Sequence, residues 1–256
     1  MAEPRTDANA PLLRSNLLTR RFGGLTAVNG VSLAFEVGQV HAVIGTNGAG
    51  KSTLINMLSG EIPASSGSIH FDGHDITDWS QPRRASAGIG RSYQRTTIFP
   101  EFSVLENCRL CAQAARPRAW AVWESAQHCA SSLQVAREAL AAAGLADEAA
   151  RGAGTLSHGG KRQLEIAMCL ATRPRVLLLD EPLAGMGAEE TDRMLALLAS
   201  LKRTHAVLLV EHDMDAVFRI ADRITVMVNG EVIASDAPAA IRANREVQTA
   251  YLGEGH

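Results

Sequence analysis

With 256 residues the chain has room for one large domain or two small ones. Hydrophobic residues make up 46% and charged residues 20%, an ordinary balance for a folded protein, and a net charge of −2 supplies no strong positive field to hold nucleic acid or an anionic bilayer. No apolar run approaches the roughly 18 residues that span a bilayer, so contact with a membrane is expected only through a partner.

Residues 1–11 carry Glu3, Asp7 and two prolines but no apolar stretch, which predicts a flexible tail rather than a signal peptide and a chain that stays in the cytosol. From 12 to 71 the pattern is short β segments broken by glycine. One of them, the β-branched run 40–44, enters a glycine-rich turn, and a helix is predicted from Lys51 to about Leu58, ended by Gly60 and Pro63. Residues 102–150 differ. They are alanine-rich, nearly free of β-branched runs, and place Leu133, Ala136, Leu140 and Ala143 at helical spacing, which predicts an inserted helical subdomain. The four cysteines suit a reducing compartment, and Cys108 and Cys111 read as two small apolar residues on one helix face.

Beyond Gly159 helix and buried strand alternate again. A helix over 160–171 is closed by Pro174, a strand covers 176–179, a helix 189–202 and a strand 207–210. Segments 224–228 and 231–234 flank Asn229-Gly230, the dipeptide that favours a type I′ hairpin. Strands alternating with helices imply an α/β fold with a mainly parallel sheet covered on both faces.

The strongest local pattern is Gly45-Thr46-Asn47-Gly48-Ala49-Gly50-Lys51-Ser52, a full match to G-x-x-x-x-G-K-[ST] between a strand and a helix. Glycines let successive N–H groups curl around phosphate oxygens, and the helix N-terminus adds its positive dipole end. In such a loop Lys51 reaches the β- and γ-phosphates and the Ser52 hydroxyl ligates Mg²⁺, with Thr53 closing the set, so ATP or GTP is the expected ligand. The second pattern is the apolar strand 176–179 ending in Asp180-Glu181, at the carboxyl edge where open α/β sheets bind ligands. Asp180 is expected to hold Mg²⁺ and Glu181 to polarise an attacking water. His212, just past another strand, suits a γ-phosphate contact at the same edge. Gln94 lies between the nucleotide core and the helical insertion, and Leu156-Ser157-His158-Gly159-Gly160 opens the helix before the Asp-Glu strand. Alone, that serine and its glycines are also the pattern of an N-cap beside a flexible joint.

Taken together, these residues make the chain resemble the ATP-binding subunits of ABC transporters over about 12–253. Gly45 to Ser52 match the Walker A loop, Gln94 the Q-loop, Leu156 to Gly160 the signature, Val176 to Glu181 the Walker B strand, and His212 the switch histidine. Phe22, 23 positions before Gly45, falls where the family places an aromatic against adenine. Within the family the likeness is nearest to ATPases of branched-chain amino acid uptake systems, carried by residues 21–28, 164–167, 211–214 and 250–254. The ATPases of urea and short-chain amide uptake follow closely, sharing the look of 156–159 and 184–186.

The resemblance implies a P-loop NTPase core with an N-terminal antiparallel β subdomain and an inserted helical subdomain. A single ABC ATPase domain would cover 12–256, with 12–95 and 157–256 as nucleotide-binding core and 96–156 as helical subdomain. It implies ATP and Mg²⁺ as ligands. Glu181, His212, Gln94 and Lys51 would be catalytic, and Ser52, Gln94 and Asp180 would stand at the metal. Ser157, His158, Gly159 and Gly160 would complete the opposite subunit's nucleotide site in a head-to-tail dimer. It further implies permease subunits, a second identical or homologous ATPase and a solute-binding protein as partners, no nucleic acid, and a place on the cytoplasmic face of the cell membrane.

Two elements depart from the family pattern: in the signature, His158 replaces the first glycine and Gly160 stands in place of glutamine, and in the loop after Walker B, Gly187 stands where an Asn or Asp is usual. A soluble ABC-type ATPase acting on ribosomes or DNA is the alternative. Those chains carry two ATPase units or a long coiled-coil insertion, whereas this insertion spans only about 50 residues. A non-hydrolysing subunit is disfavoured by the intact Glu181.

Overall fold

The computed structural model describes residues 11–92, 97–115 and 130–252. In chain order, β1 (Leu13–Phe22) and β2 (Leu25–Phe35) pair antiparallel, β3 (Val40–Gly45) enters the interior, and α1 (Lys51–Ser59) follows. Then come β4 (Ser66–Phe71), the short β5 (His74–Asp75), α2 (Gln81–Ala87), β6 (Ile89–Arg91), α3 (Val104–Ala114) and α4 (Ala130–Ala142). After α5 (His158–Leu170) the chain runs through β7 (Val176–Asp180), α6 (Ala188–Leu201), β8 (Ala206–Val210) and α7 (Met214–Ile220). The remaining elements are β9 (Arg223–Val228), β10 (Glu231–Asp236), α8 (Pro238–Ala243) and α9 (Arg245–Leu252).

Two sheets result. One is antiparallel, in the order β2-β1-β4-β5, and the other runs β10-β9-β3-β8-β7-β6. In the second, every pair from β9 to β6 is parallel and only β10 is antiparallel, joined by the hairpin at Asn229-Gly230. Both hairpin residues have positive φ, 50° and 83°, as a type I′ turn requires.

The buried strands read as continuous apolar runs because each face of the sheet is covered. On β7, Leu177 and Leu179 enter the core shared with the helical side, while Val176 and Leu178 enter the core shared with α1 and the antiparallel sheet. β8 divides the same way, with Val207 and Leu209 on one face and Ala206, Leu208 and Val210 on the other. Truncating any of these leucines to alanine would cost about 2–5 kcal/mol. The C-terminal end of α1 is held from outside. Buried Arg84 on α2 donates to the carbonyls of Met57 (2.7 Å) and Leu58 (3.0 Å), the first of which also accepts from the capping Gly60 N–H (3.1 Å).

The helical excursion leaves and returns at one point. Ser103 bridges Gly152, with Val104 N–H donating to Arg151 O (2.9 Å) and Ala153 N–H to Phe102 O (2.9 Å). Ala136, Leu140 and Ala143 are buried as their spacing predicts, joined by Val135 and Ala139, but Leu133 is only half-buried. Cys108 is buried and Cys111 half-buried on α3, and burial pushes the Cys111 thiol up to about 11. Among the described residues no His, Cys, Asp and Glu group forms a metal cluster. No described helix is long and apolar enough to cross a membrane.

Candidate functional site

Because β3, β8 and β7 are adjacent and parallel, their carboxyl ends bring Gly45, His212 and Asp180-Glu181 to one edge. The loop between β3 and α1 holds a backbone path open to few residues. Gly50 has φ +96°, and a Cβ there would lie 2.2 Å from the Ala27 carbonyl oxygen. Ala49 is buried under the loop, while Thr46 and Thr53 are half-buried and Asn47, Gly48 and Ser52 are exposed. Lys51 Nζ donates to the carbonyls of Gly45 (2.6 Å) and Thr46 (2.9 Å). Burial lowers its pKa, and the charges of Glu181 and Asp180 oppose that effect. The ammonium therefore lies within electrostatic reach of both carboxylates.

Asp180 is 4% exposed, and its Oδ1 is buried with no hydrogen-bond partner. Its other oxygen lies 4.0 Å from the Arg91 guanidinium. Burial raises the Asp180 pKa, Arg91 and Lys51 oppose the rise, and Glu181 adds to it. A buried, orphaned carboxylate oxygen is costly unless something positive meets it. Together with the Ser52 hydroxyl it is the donor chemistry of a hard oxygen-seeking cation, so Mg²⁺ fits these residues.

Glu181 takes φ +50°, a left-handed conformation rare for its residue type. It is held there by its N–H bonding Val210 O (2.9 Å) and by Ala184 N–H donating to its carbonyl (3.2 Å). His212 has its side chain 64% exposed. Phe22, at the end of β1, is 45% exposed with the Arg20 guanidinium 4.6 Å over its ring. Gln94 lies outside the described residues.

The signature segment is arranged around α5. Ser157 is the N-cap, its Oγ accepting from Gly160 N–H (3.1 Å), so both signature glycines sit inside the first turn. The predicted helix start at Gly160 is thus two residues late, because the cap hydrogen bond needs only the serine. Ser157 Oγ donates to Glu190 Oε1 (2.9 Å), as does Gly159 N–H (3.2 Å), and His158 Nε2 meets the Ala184 carbonyl (3.0 Å).

Two buried carboxylates have partners that the sequence pattern does not assign. Glu211 is fully buried and accepts from Leu183 N–H (2.8 Å) and His212 N–H (3.1 Å), tying the loop after β8 to the loop after β7. Glu165 on α5 accepts from Arg162 (2.8 Å) and from Thr97 N–H (3.1 Å), three residues beyond Gln94. Burial raises both pKa values.

Comparison with known proteins adds to this geometry. The family described as ABC transporter matches residues 28–184, and the family described as branched-chain amino acid ATP-binding cassette transporter matches 231–256. The high-affinity branched-chain amino acid transport ATP-binding protein BraF of Pseudomonas aeruginosa is 42% identical over 255 residues, covering 95% of this chain and 98% of that one. The LivG protein of Escherichia coli K12, of the same description, is 38% identical over 253 residues, with 95% and 98% covered. A nucleotide-free ATP-binding cassette from an ABC transporter superposes with a TM-score of 0.85 at 29% identity, covering 95% of this chain and all of that one. The ADP-bound conformation of such a cassette gives a TM-score of 0.84 at 30% identity, with 96% and 100% covered.

Proposed function

This chain belongs to the ABC transporter family of ATP-binding proteins, and from that premise we propose that it is the ATP-hydrolysing motor of an importer for branched-chain or other hydrophobic amino acids. The single observation that carries the catalytic part is the meeting of Lys51, buried Asp180 and strained Glu181 at the carboxyl ends of β3 and β7, the two neighbours of β8. The solute class rests on the BraF and LivG likeness and on the match at 231–256.

Each residue has a distinct task in this reading. The backbone from Gly45 to Gly50 cradles phosphate oxygens, with Thr46, Asn47, Gly48, Ala49 and Thr53 shaping the loop. Lys51 leaves its two loop carbonyls to bind the β- and γ-phosphates. Ser52 and Asp180, with Gln94, hold Mg²⁺, which when bound neutralises phosphate charge. Glu181 accepts a proton from the attacking water, and its fixed left-handed backbone keeps the carboxylate aimed. His212 contacts the γ-phosphate, and Glu211 positions the loop that carries it. Phe22 stacks on adenine. Ser157, His158, Gly159 and Gly160 cap the nucleotide of a second ATPase subunit.

In the same reading the chain docks on permease subunits at the cytoplasmic face of the membrane and works with a solute-binding protein. Glu181→Gln should retain ATP binding while turnover falls about 10²- to 10⁴-fold, because the water loses its proton acceptor. Lys51→Ala should instead weaken binding itself, since the phosphates lose their main counterion. Nucleotide titration beside single-turnover hydrolysis separates the two effects. Near-normal turnover in Glu181→Gln would overturn the assignment.

A further inference from the structure

Glu190, in the first turn of α6, bridges two helix N-termini. Its Oε1 accepts from Ser157 Oγ (2.9 Å) and Gly159 N–H (3.2 Å) at the start of α5. Its carboxylate also faces the backbone N–H of Gly187, the N-cap of its own helix, which helps to lower its pKa. Glu190 stands three residues after the N-cap, the position from which a capping-box carboxylate reaches back, and Gly187 has no side chain to cap the helix itself. The first contact is unusual in a different way, because it uses the very donors that an anion from a facing subunit would need. Gly159 is shaped for the approach, since a Cβ there would lie 2.6 Å from the Glu190 carboxyl carbon. His158 fastens the same turn to the loop after β7 through the Ala184 carbonyl. The Ser157 hydrogen bond, followed by those from Gly159 and Gly187, holds the Glu190 carboxyl below its usual range, so it is an anion at neutral pH.

We propose that Glu190 is a built-in competitor at the signature: its carboxylate fills, from within the same chain, the donors that the γ-phosphate of the opposing subunit's ATP takes on closure. The inference rests on the reading that Ser157 and Gly159 cap that phosphate. Two anions cannot share one hydroxyl and one N–H, so closure must expel the carboxylate. Glu190 can swing aside toward the Gly187 N–H at the N-cap of its own helix, which makes the exchange reversible and confines it to one side chain. The consequence is a raised ATP threshold for closing the site that this chain completes.

The test is the assembled transporter, with ATPase rate measured against ATP concentration for the parent, Glu190→Gln and Ser157→Ala. The amide keeps the size of the side chain and an oxygen acceptor but loses the charge that competes with phosphate. We expect Glu190→Gln to lower the apparent KM for ATP by about three- to tenfold, with kcat within about twofold, since hydrogen bonds to charged groups are roughly twice as strong as neutral ones. Ser157→Ala should reduce turnover. A merely structural role for Glu190 would lower kcat or stability and leave KM alone. Pairing Glu190→Gln with Gly187→Asn supplies α6 with a side-chain cap, so a folding defect cannot mimic the result. An unchanged or raised KM, with Ser157→Ala still impaired, overturns the competitor and leaves the signature reading intact. A fully active Ser157→Ala overturns both.

Discussion

His41 lies near the start of β3, at the opposite end of that strand from the phosphate loop, and is 2% exposed. Its Nδ1 lies 3.1 Å from the Ala34 carbonyl, which can only accept, so the proton sits on Nδ1 and Nε2 accepts from Thr225 Oγ1 at 2.7 Å. The neutral ring satisfies both partners, and burial depresses the pKa from 6.5 to about 4. Above the unfolded value the ring is neutral in both states and contributes nothing to the pH slope. As pH falls below 6.5 the unfolded chain binds the proton first, and stability drops until the folded value near 4 is reached. The loss attributable to this ring at about pH 5 is roughly 2 kcal/mol. Asp180, Glu165 and Glu211 act in the opposite sense, because burial raises them and the folded state takes up their protons first. The comparison must therefore be made between parent and His41→Gln. Denaturant melts from about pH 7 to 5 should show the parent losing stability more steeply, and parallel curves would refute the assignment.

At the scale of elements, the first turn of α5 is where the chain departs from its family. Gly160 is a first-turn helical residue whose N–H already bonds Ser157 Oγ, so its flexibility serves no positive φ. Glycine there costs about 1 kcal/mol relative to a good helix former such as glutamine. A new Cβ would meet Leu156 Cβ at 3.3 Å and Ser157 Oγ at 3.4 Å, close enough that those neighbours must shift slightly. Gly160→Gln should raise the melting temperature by about 2–4 °C and increase ATPase turnover in the assembled transporter, by fixing the cap on the opposite nucleotide. A fall or no change in turnover would mark the glycine as neutral or adaptive. The elements themselves were largely legible. The loop 45–52, the apolar runs of β7 and β8 and the Asn229-Gly230 turn each carry their cause within a few consecutive residues. Arg84, Glu165, Glu190 and Glu211 were not, because each acts on a group 26 or more residues away and no local spacing encodes that partner. The partial exposure of Leu133 follows the same logic, since which side of a helix is covered depends on its neighbours.

Across the whole molecule, these long-range carboxylates join the ends of separate segments. Glu165 links Thr97, on the segment that follows Gln94, to the helix that begins at the signature, and Glu211 links the loops after β7 and β8. The same region carries an exposed apolar pair. Phe99 is 49% exposed and Phe102 43% exposed, with ring centroids 5.7 Å apart. Buried Asn107 on α3 fixes the Phe99 backbone, accepting from its N–H (2.7 Å) and donating to its carbonyl (3.0 Å), and Phe102 N–H donates to that same carbonyl (3.1 Å). Two neighbouring, half-exposed aromatic rings have the character of an interface anchor, since aromatic side chains are enriched among the residues that supply most of the energy at protein contacts. In the proposed importer the occupant expected here is a cytoplasmic segment of the permease, because Thr97 N–H donates to Glu165 and Ile98 packs on the core that includes α5, which couples residues 97–102 to the signature helix. Photo-crosslinking from the permease should therefore label residues 97–115 and not the hairpin of β9 and β10. Replacing Phe99 and Phe102 together by serine should weaken assembly by about tenfold or more while leaving the melting temperature of the isolated chain nearly unchanged. Crosslinks confined to that hairpin, or full assembly of the double variant, would place the docking surface elsewhere and detach the Glu165 link from transport.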